Sequence, residues 1–391
     1  MSTSGRTGTD GSASDASDAA ATLRDAAFVR VLVRADGDCL AAAGLLARAL
    51  GGRGVPYQVR VGRFGETLAD PDDANRASSE DTTVGIGLDP GADAHLPAAA
   101  TPASATAYDV ARELDARPDP TLALAGVLAA DGVPSAGETA HVLEAARERG
   151  VERRPGVGVP TDDLADGLAH ATLAHADYSG DAGAAQAALA ELGLPAELDE
   201  SAHRRVASEF ALAVTGGQAA TARAADAVER ALRPHTAPEG PFATVEGYAD
   251  VLDAVARERP GTATALALGH DARADALDAW RDHAERAHAV LREGTTGRYD
   301  GLFALRTDSA PVETVARLLR DFRSPEPVAL VVADEAAAAA ATDDRRIGAA
   351  MSEAARSVGG LGGGLADRGY ARFDPETDTK EFLAEFREAR R

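Results

Sequence analysis

The chain has 391 residues, enough for two or three domains with cores of their own. It carries 63 acidic against 40 basic residues for a formal charge of -23, and every basic residue except Lys380 is arginine. That balance excludes attraction of nucleic acid by overall charge, though not a nucleic-acid partner, which then needs a local arginine patch. Rich in alanine and poor in aromatics, the composition is that of a halophile protein, whose carboxylates keep its surface hydrated in high salt. The one cysteine, Cys39, excludes an intramolecular disulfide and a cysteine-based zinc cluster. No apolar run approaches the roughly 20 residues that span a bilayer, and the opening "MSTSGRTGTDGSASDASDAAAT" lacks the apolar core of a signal peptide. The expectation is a cytoplasmic protein without a membrane partner, whose residues 1–24 form a disordered acidic, small-residue tail.

In chain order, "AAFVRVLV" (26–33) and "YQVRVGRF" (57–64) read as strands, separated by a helix from Cys39 to Leu50 and a "GGRG" turn. After a polar segment, a third strand "VGIGLD" ends at Asp89. Helices follow over 104–114 and 121–130. Near-continuous apolar strands interleaved with helices predict an α/β domain at 25–136 with a mainly parallel sheet. Residues 137–298 read as a helical middle and connector region. From 299 to 391 the alternation returns as a smaller α/β domain, with strands "GLFALRT" and "PVALVVA", helices "VETVARLLRDF" and "RRIGAAMSEAARS", a glycine-rich "VGGLGGGLADRGYARF" and a charged final helix. The tract "DEAAAAAATDD" reads as helix or linker. No repeat of solenoid length is present.

The chemistry concentrates at element ends. Residues two apart in a strand share a face, so Asp36 and Asp38, with Gly37 between them, are expected to present both carboxylates at the sheet's carboxyl edge, where open α/β sheets place their sites. Asp89 ends a strand and Asp131 a helix. Four aspartates converging there suit one Mg²⁺ or Mn²⁺. A plainer reading stands beside it: Asp38 precedes a helix and fits a cap. "GGLGGG" lacks the Gly-Lys-Ser/Thr of a Walker loop. His170 and His175, and likewise His283 and His288, lie five apart and read as helix packing or surface residues; Cys39 reads as a small buried residue.

The order of these segments resembles the DHH phosphoesterase superfamily, and within it the archaeal RecJ-like branch of single-stranded-DNA exonucleases and GINS-associated nucleases, here with a haloarchaeal type of composition. "VRADGDCLAAAGLLARAL" is similar to the first motif, His-x-Asp-x-Asp-Gly before a small-residue helix, with Arg34 at the histidine position and Cys39 at the glycine position. "TLALAGVLAADG" resembles the helix of the fourth motif and puts Asp131 at its metal-binding aspartate. "LAHATLAHADYSGDAGAAQAALAELGLP" and "GYADVLDAVARERPGTATALALG" resemble the helical middle region of the archaeal branch. "IGAAMSEAARSVGGLGGGLADRGYARFD" resembles the DHH-associated nucleic-acid-binding domain, with Leu365 where its glycine loop carries a histidine. The Asp-His-His signature is absent. Asp89, followed by Pro90 and Gly91, matches either the second-motif aspartate or the first residue of that signature; His95 has the wrong spacing to replace a signature histidine.

The resemblance implies Asp36, Asp38, Asp89 and Asp131 as metal and catalytic residues, with Mn²⁺ or Mg²⁺ as cofactor if the protein is active. It implies Arg345 and the amides of Gly362, Gly363 and Gly364 as nucleic-acid contacts. Arginine has no lone pair to ligate a cation, so Arg34 is expected to pair with the carboxylates and take over part of the metal's charge compensation. Losing these histidines together implies a catalytically degenerate single-stranded-nucleic-acid-binding protein of DNA replication or repair, a replisome accessory factor with GINS and MCM as partners, the role of inactive relatives. The alternative is an active Mn²⁺-dependent exonuclease on single-stranded DNA or RNA. A phosphoesterase acting on small nucleotides is a third reading, which the helical middle region disfavours.

Overall fold

The computed structural model describes residues 9–68, 81–89, 91–135, 137–217 and 220–391. The chain forms two compact units. One comprises the residues up to Arg153 together with His235–Trp280; the other comprises Arg154–Pro234 together with Arg281–Arg391.

The first unit is built on a parallel sheet of β1 (Phe28–Arg34), β2 (Tyr57–Gly62), β3 (Asp81–Ile86) and β4 (Ala94–Leu96), in the order β2-β1-β3-β4. β4 is a strand that "ADAHLP" conceals; it carries His95 on an exposed position. A short ribbon, β5 (Glu152–Arg153) with β6 (His235–Thr236), joins the two chain segments of the unit.

Structure begins well before Asp25. Helix α1 (Thr9–Arg24) buries Ala16, Ala19, Ala20 and Leu23 in the first core. Their spacing of three, four and seven is the apolar stripe of an amphipathic helix, drawn in alanine and therefore easily mistaken for a low-complexity tail. The expectation of disorder is corrected over 9–24; residues 1–8 lie outside the described residues, as does most of the polar segment after β2.

Helix α2 (Gly37–Gly52) is buried along nearly its whole length, with Leu40, Leu45, Leu46 and Leu50 fully inside. Helices α3 (Ala103–Glu113), α4 (Pro120–Ala129) and α5 (Val245–Glu258) share its core. Small side chains on α2 let its neighbours come close, which is why an alanine-rich helix sits at the centre of the unit.

In the second unit a six-stranded mixed sheet has the order β11-β12-β10-β9-β8-β7, from β7 (Thr295–Tyr299), β8 (Leu302–Arg306), β9 (Val328–Val332), β10 (Ala336–Ala341), β11 (Leu361–Gly364) and β12 (Arg368–Arg372). Only β8 and β9 pair in parallel. Ala329 and Val331 of β9 face one core, and Val328, Leu330 and Val332 the other, the period of two that a strand covered on both sides requires.

One expectation is corrected here. The alanine tract 336–341 is strand β10, not helix or linker: both its edges pair, with β9 and β12, and that tertiary pairing outweighs alanine's helix preference. The helical middle expected over 137–298 is present, and its residues divide between the two units. Helices over 164–228 join the apolar cluster on one side of the six-stranded sheet, where the helix Val312–Leu318 lies against β9 and β10, while 235–280 belongs to the first unit. Among the described residues no helix is long and apolar enough to cross a membrane.

Candidate functional site

β1 ends at Arg34 and α2 begins at Gly37, so Asp36 and Asp38 belong to the turn and first helical residues rather than to a strand. They do not act as a parallel pair. Asp36 is the N-cap of α2: its Oδ1 accepts from the Cys39 amide at 2.9 Å, and its Oδ2 from Nε of Arg34 at 2.5 Å. Arg34 also donates to the Gly87 carbonyl at 3.1 Å. Asp38 is 2 % exposed, and both its oxygens are spent on the amides that open α3, Ala103 at 2.8 Å and Ser104 at 2.9 Å. Pro102 at that N-cap has no side-chain acceptor to offer its own helix. Asp38 therefore caps a helix, but α3 rather than the α2 in which it lies.

A second ion pair adjoins the first. On α5, Arg257 is bonded to Asp253, whose Oδ1 accepts from the Gly37 amide at 3.1 Å. The electrostatics follow from burial and these partners. Burial alone pushes the Asp36 carboxyl up, yet Arg34, the Cys39 amide and Arg257 hold it down at about 2. Burial and the neighbouring Asp36 push Asp38 up to about 6 against its bonds to Ser104 and Ala103. Burial works against charge on Arg34 as well, and Asp36 leads the neighbouring groups that together outweigh it. Burial likewise pushes the Cys39 thiol far up, so it is a packed side chain and not a nucleophile.

The other two aspartates are elsewhere occupied. Asp89 is exposed and accepts from the Gly91 amide, 3.1 Å away, in its own turn. Asp131 is exposed and follows α4 in the left-handed conformation, φ 59°. Among the described residues, no group of three or more His, Cys, Asp or Glu is placed to hold a metal ion. The structure places Asp36 and Asp38 at one turn, and Asp89 and Asp131 at exposed turns of their own. A carboxylate already accepting from amides and a guanidinium has little left to give a metal, so the donor set here does not fit Mn²⁺ or Mg²⁺.

In the second unit the glycine-rich segment is not an open loop. Gly362, Gly363 and Gly364 lie in edge strand β11, paired with β12, and Leu365 begins the hairpin turn. The helix over Ile347–Ser357 packs directly on this strand: a Cβ at Gly348 would stand 2.4 Å from the Gly364 carbonyl, while one at Gly363 would meet nothing within 4 Å. Gly348→Ala is expected to cost about 2 kcal/mol or more through forced separation of helix and strand, and Gly363→Ala less than about 0.5 kcal/mol; paired thermal melts check the contrast. Arg345 forks onto Asp343 at 2.6 and 3.2 Å, which lowers that carboxyl through the hydrogen bond.

The histidines pack, as their spacing suggests. His170 lies against Asp166 at 3.1 Å, His283 bonds Thr314 at 2.8 Å, and the His175 and His288 rings stack with Nδ1 atoms 3.0 Å apart. Asp253 and Arg257 escape a sequence reading, because Asp and Arg four apart on a helix are an ordinary surface pair.

This fold, a parallel-sheet unit followed by a mixed-sheet unit, has a counterpart among solved structures. CDC45 from Entamoeba histolytica shares it at a TM-score of 0.57 with 9 % identity, covering 96 % of this chain and 99 % of that one. Exonuclease RecJ bound to manganese aligns at a TM-score of 0.49 and 16 % identity over 98 % of this chain and 96 % of that one. Residues 294–388 match the family model described as "Uncharacterized protein rrnAC1427, C-terminal domain". The protein rrnAC1427 of Haloarcula marismortui is 53 % identical over 395 residues, covering all of both chains, and the chain belongs to its family.

Proposed function

We propose that the chain is a catalytically degenerate, RecJ-like single-stranded-nucleic-acid-binding protein of DNA replication or repair, a cytoplasmic replisome accessory factor that works with GINS and MCM. The observation that carries this reading is the commitment of Asp36 to Arg34 and Cys39 and of Asp38 to the α3 amides. In-line phosphodiester hydrolysis with metals needs carboxylates free to hold cations that activate water and neutralise the phosphate. The partner role is the one the sequence resemblance implies for inactive members of the branch.

Charge distribution supports a nucleic-acid contact in the second unit. Residues 294–391 hold 14 basic and 17 acidic residues, a balance of -3, leaving 26 basic and 46 acidic, or -20, for the first 293. The segment with the family's C-terminal domain therefore repels phosphate least. Arg345 and the edge strand of Gly362, Gly363 and Gly364 are the proposed contact.

The test incubates the full chain with labelled single-stranded DNA and short RNA in multimolar KCl with Mn²⁺, reading anisotropy and chain length together. The expected result is binding without degradation, and recovery of GINS and MCM subunits with the tagged protein from native extract. Mn²⁺-dependent degradation abolished by Asp36→Ala and Asp38→Ala establishes the exonuclease instead. Neither binding nor degradation overturns the nucleic-acid reading.

A further inference from the structure

The motif turn of the first unit contains two arginines, not one. Arg34, from the end of β1, reaches Asp36 at 2.5 Å. Arg257, from α5, holds Asp253, and Asp253 in turn receives the Gly37 amide at 3.1 Å. The two ion pairs bracket the residues 36 and 37 at which strand gives way to helix. The Arg34 head is seated by shape as well as charge. At Gly87, where φ is +67°, a Cβ would lie 2.5 Å from Cys39 Sγ and 3.1 Å from the Arg34 Cζ, so the backbone there is shaved to fit the guanidinium. Two cations against Asp36 and Asp253 leave that pair of carboxylates neutralised from within.

We propose that Arg34 and Arg257 are the resident cations of this turn, occupying the electrostatic role of metal ions and fixing the β1–α2 junction in a protein that needs no divalent ion to order it. The inference deepens the reading of a degenerate site by naming a second positioning residue, Arg257, on an element more than 200 residues downstream that the motif does not contain. Buried charge that has lost its partner is strongly destabilising, whereas removing both partners leaves neutral groups; the two cases separate a cation role from mere bulk.

The experiment uses the full chain and four variants: Arg34→Met, Asp36→Asn, the double variant, and Arg257→Met. Each is melted in high KCl with EDTA and with MnCl₂, and wild type is dialysed against Mn²⁺ to count bound ion. Wild type is expected to hold no Mn²⁺ and to melt at one temperature in EDTA and MnCl₂. Arg34→Met and Arg257→Met are each expected to melt about 10 °C lower. The Arg34→Met, Asp36→Asn double variant is expected to recover at least half of the Arg34→Met loss, a coupling that a bulk-only role does not produce. Binding of one Mn²⁺ per wild-type chain, abolished by Asp36→Asn, overturns the proposal, and so do strictly additive losses in the double variant. Single-stranded-DNA affinity of wild type is measured separately: its absence sinks the proposed function while leaving the cation assignment standing, and tight DNA binding beside Mn²⁺ uptake does the reverse.

Discussion

Replacing Asp38 by alanine is expected to lower the stability of the first unit by about 3 kcal/mol, from a lost helix cap and two buried amides left without acceptors. At roughly 2–4 °C per kcal/mol for a unit of this size, melting falls by about 6–12 °C. Asp89→Ala, which removes only an exposed turn acceptor, is expected to change stability by less than about 0.5 kcal/mol. The contrast matters because the two aspartates are equivalent in any reading that makes them ligands of one ion: both changes would then weaken metal binding and leave the metal-free fold nearly alone. In the structure they differ because Asp38 is buried against Ala103 and Ser104 while Asp89 faces solvent. Asp38→Asn keeps one acceptor oxygen and belongs between the two. Melting of the three variants in EDTA checks the order; equal, small losses for Asp38→Ala and Asp89→Ala defeat it.

The same residues show which parts of the molecule were legible in the sequence. The β1–α2–β2 unit was readable because an apolar run, a turn and a small-residue helix are local patterns, and the Arg34–Asp36 pair because its members lie two apart. The use of Asp38 was half legible: aspartate beside a helix start signals a cap, but nothing in "ADGDCL" tells which helix, and the amides it serves are 65 and 66 residues away. Composition misled at both alanine-rich segments. In α1 the residues 16, 19, 20 and 23 formed a stripe that only burial distinguishes from a tail. In β10 two pairing partners overrode helix preference. The interleaving of the two units, and the reach of α5 back to Gly37, depend on contacts over 200 residues that no window along the chain contains.

The histidines of the second unit, read from spacing as packing or surface residues, are packed, and that packing makes the unit acid-labile. His288 is fully buried; its Nε2 lies 3.2 Å from the Ala171 carbonyl and so carries the proton, which leaves its Nδ1 to accept from Nδ1–H of His175 at 3.0 Å. Both rings are therefore neutral. A proton added to either would set N–H against N–H, in a site already facing the positive charges of Arg292 and, at His175, Arg323. Burial and then these arginines lower His175 to about 4; burial and then His175 lower His288 well below its ordinary value. An unfolded histidine titrates near 6.5, so the unfolded chain binds more protons between those values. The stability these rings confer is whole above about pH 6.5 and is lost as pH falls toward 4, by about 3 kcal/mol for His175 alone. Asp38 in the first unit has the opposite sign. Its folded value of about 6 exceeds the ordinary carboxylate value, so the proton-linked part of its contribution, separate from its capping of Ala103 and Ser104, is whole at low pH and is lost as pH rises through 6. Native-state hydrogen exchange from pH 7.5 to 4.5 is expected to show protection in the second unit falling first. His175→Asn, whose amide N–H can keep the donation to His288, is expected to match wild type near pH 7.5 and lose less on acidification. If wild type and His175→Asn lose protection in parallel between pH 6.5 and 4.5, the acid sensitivity resides in the carboxylates and not in this pair.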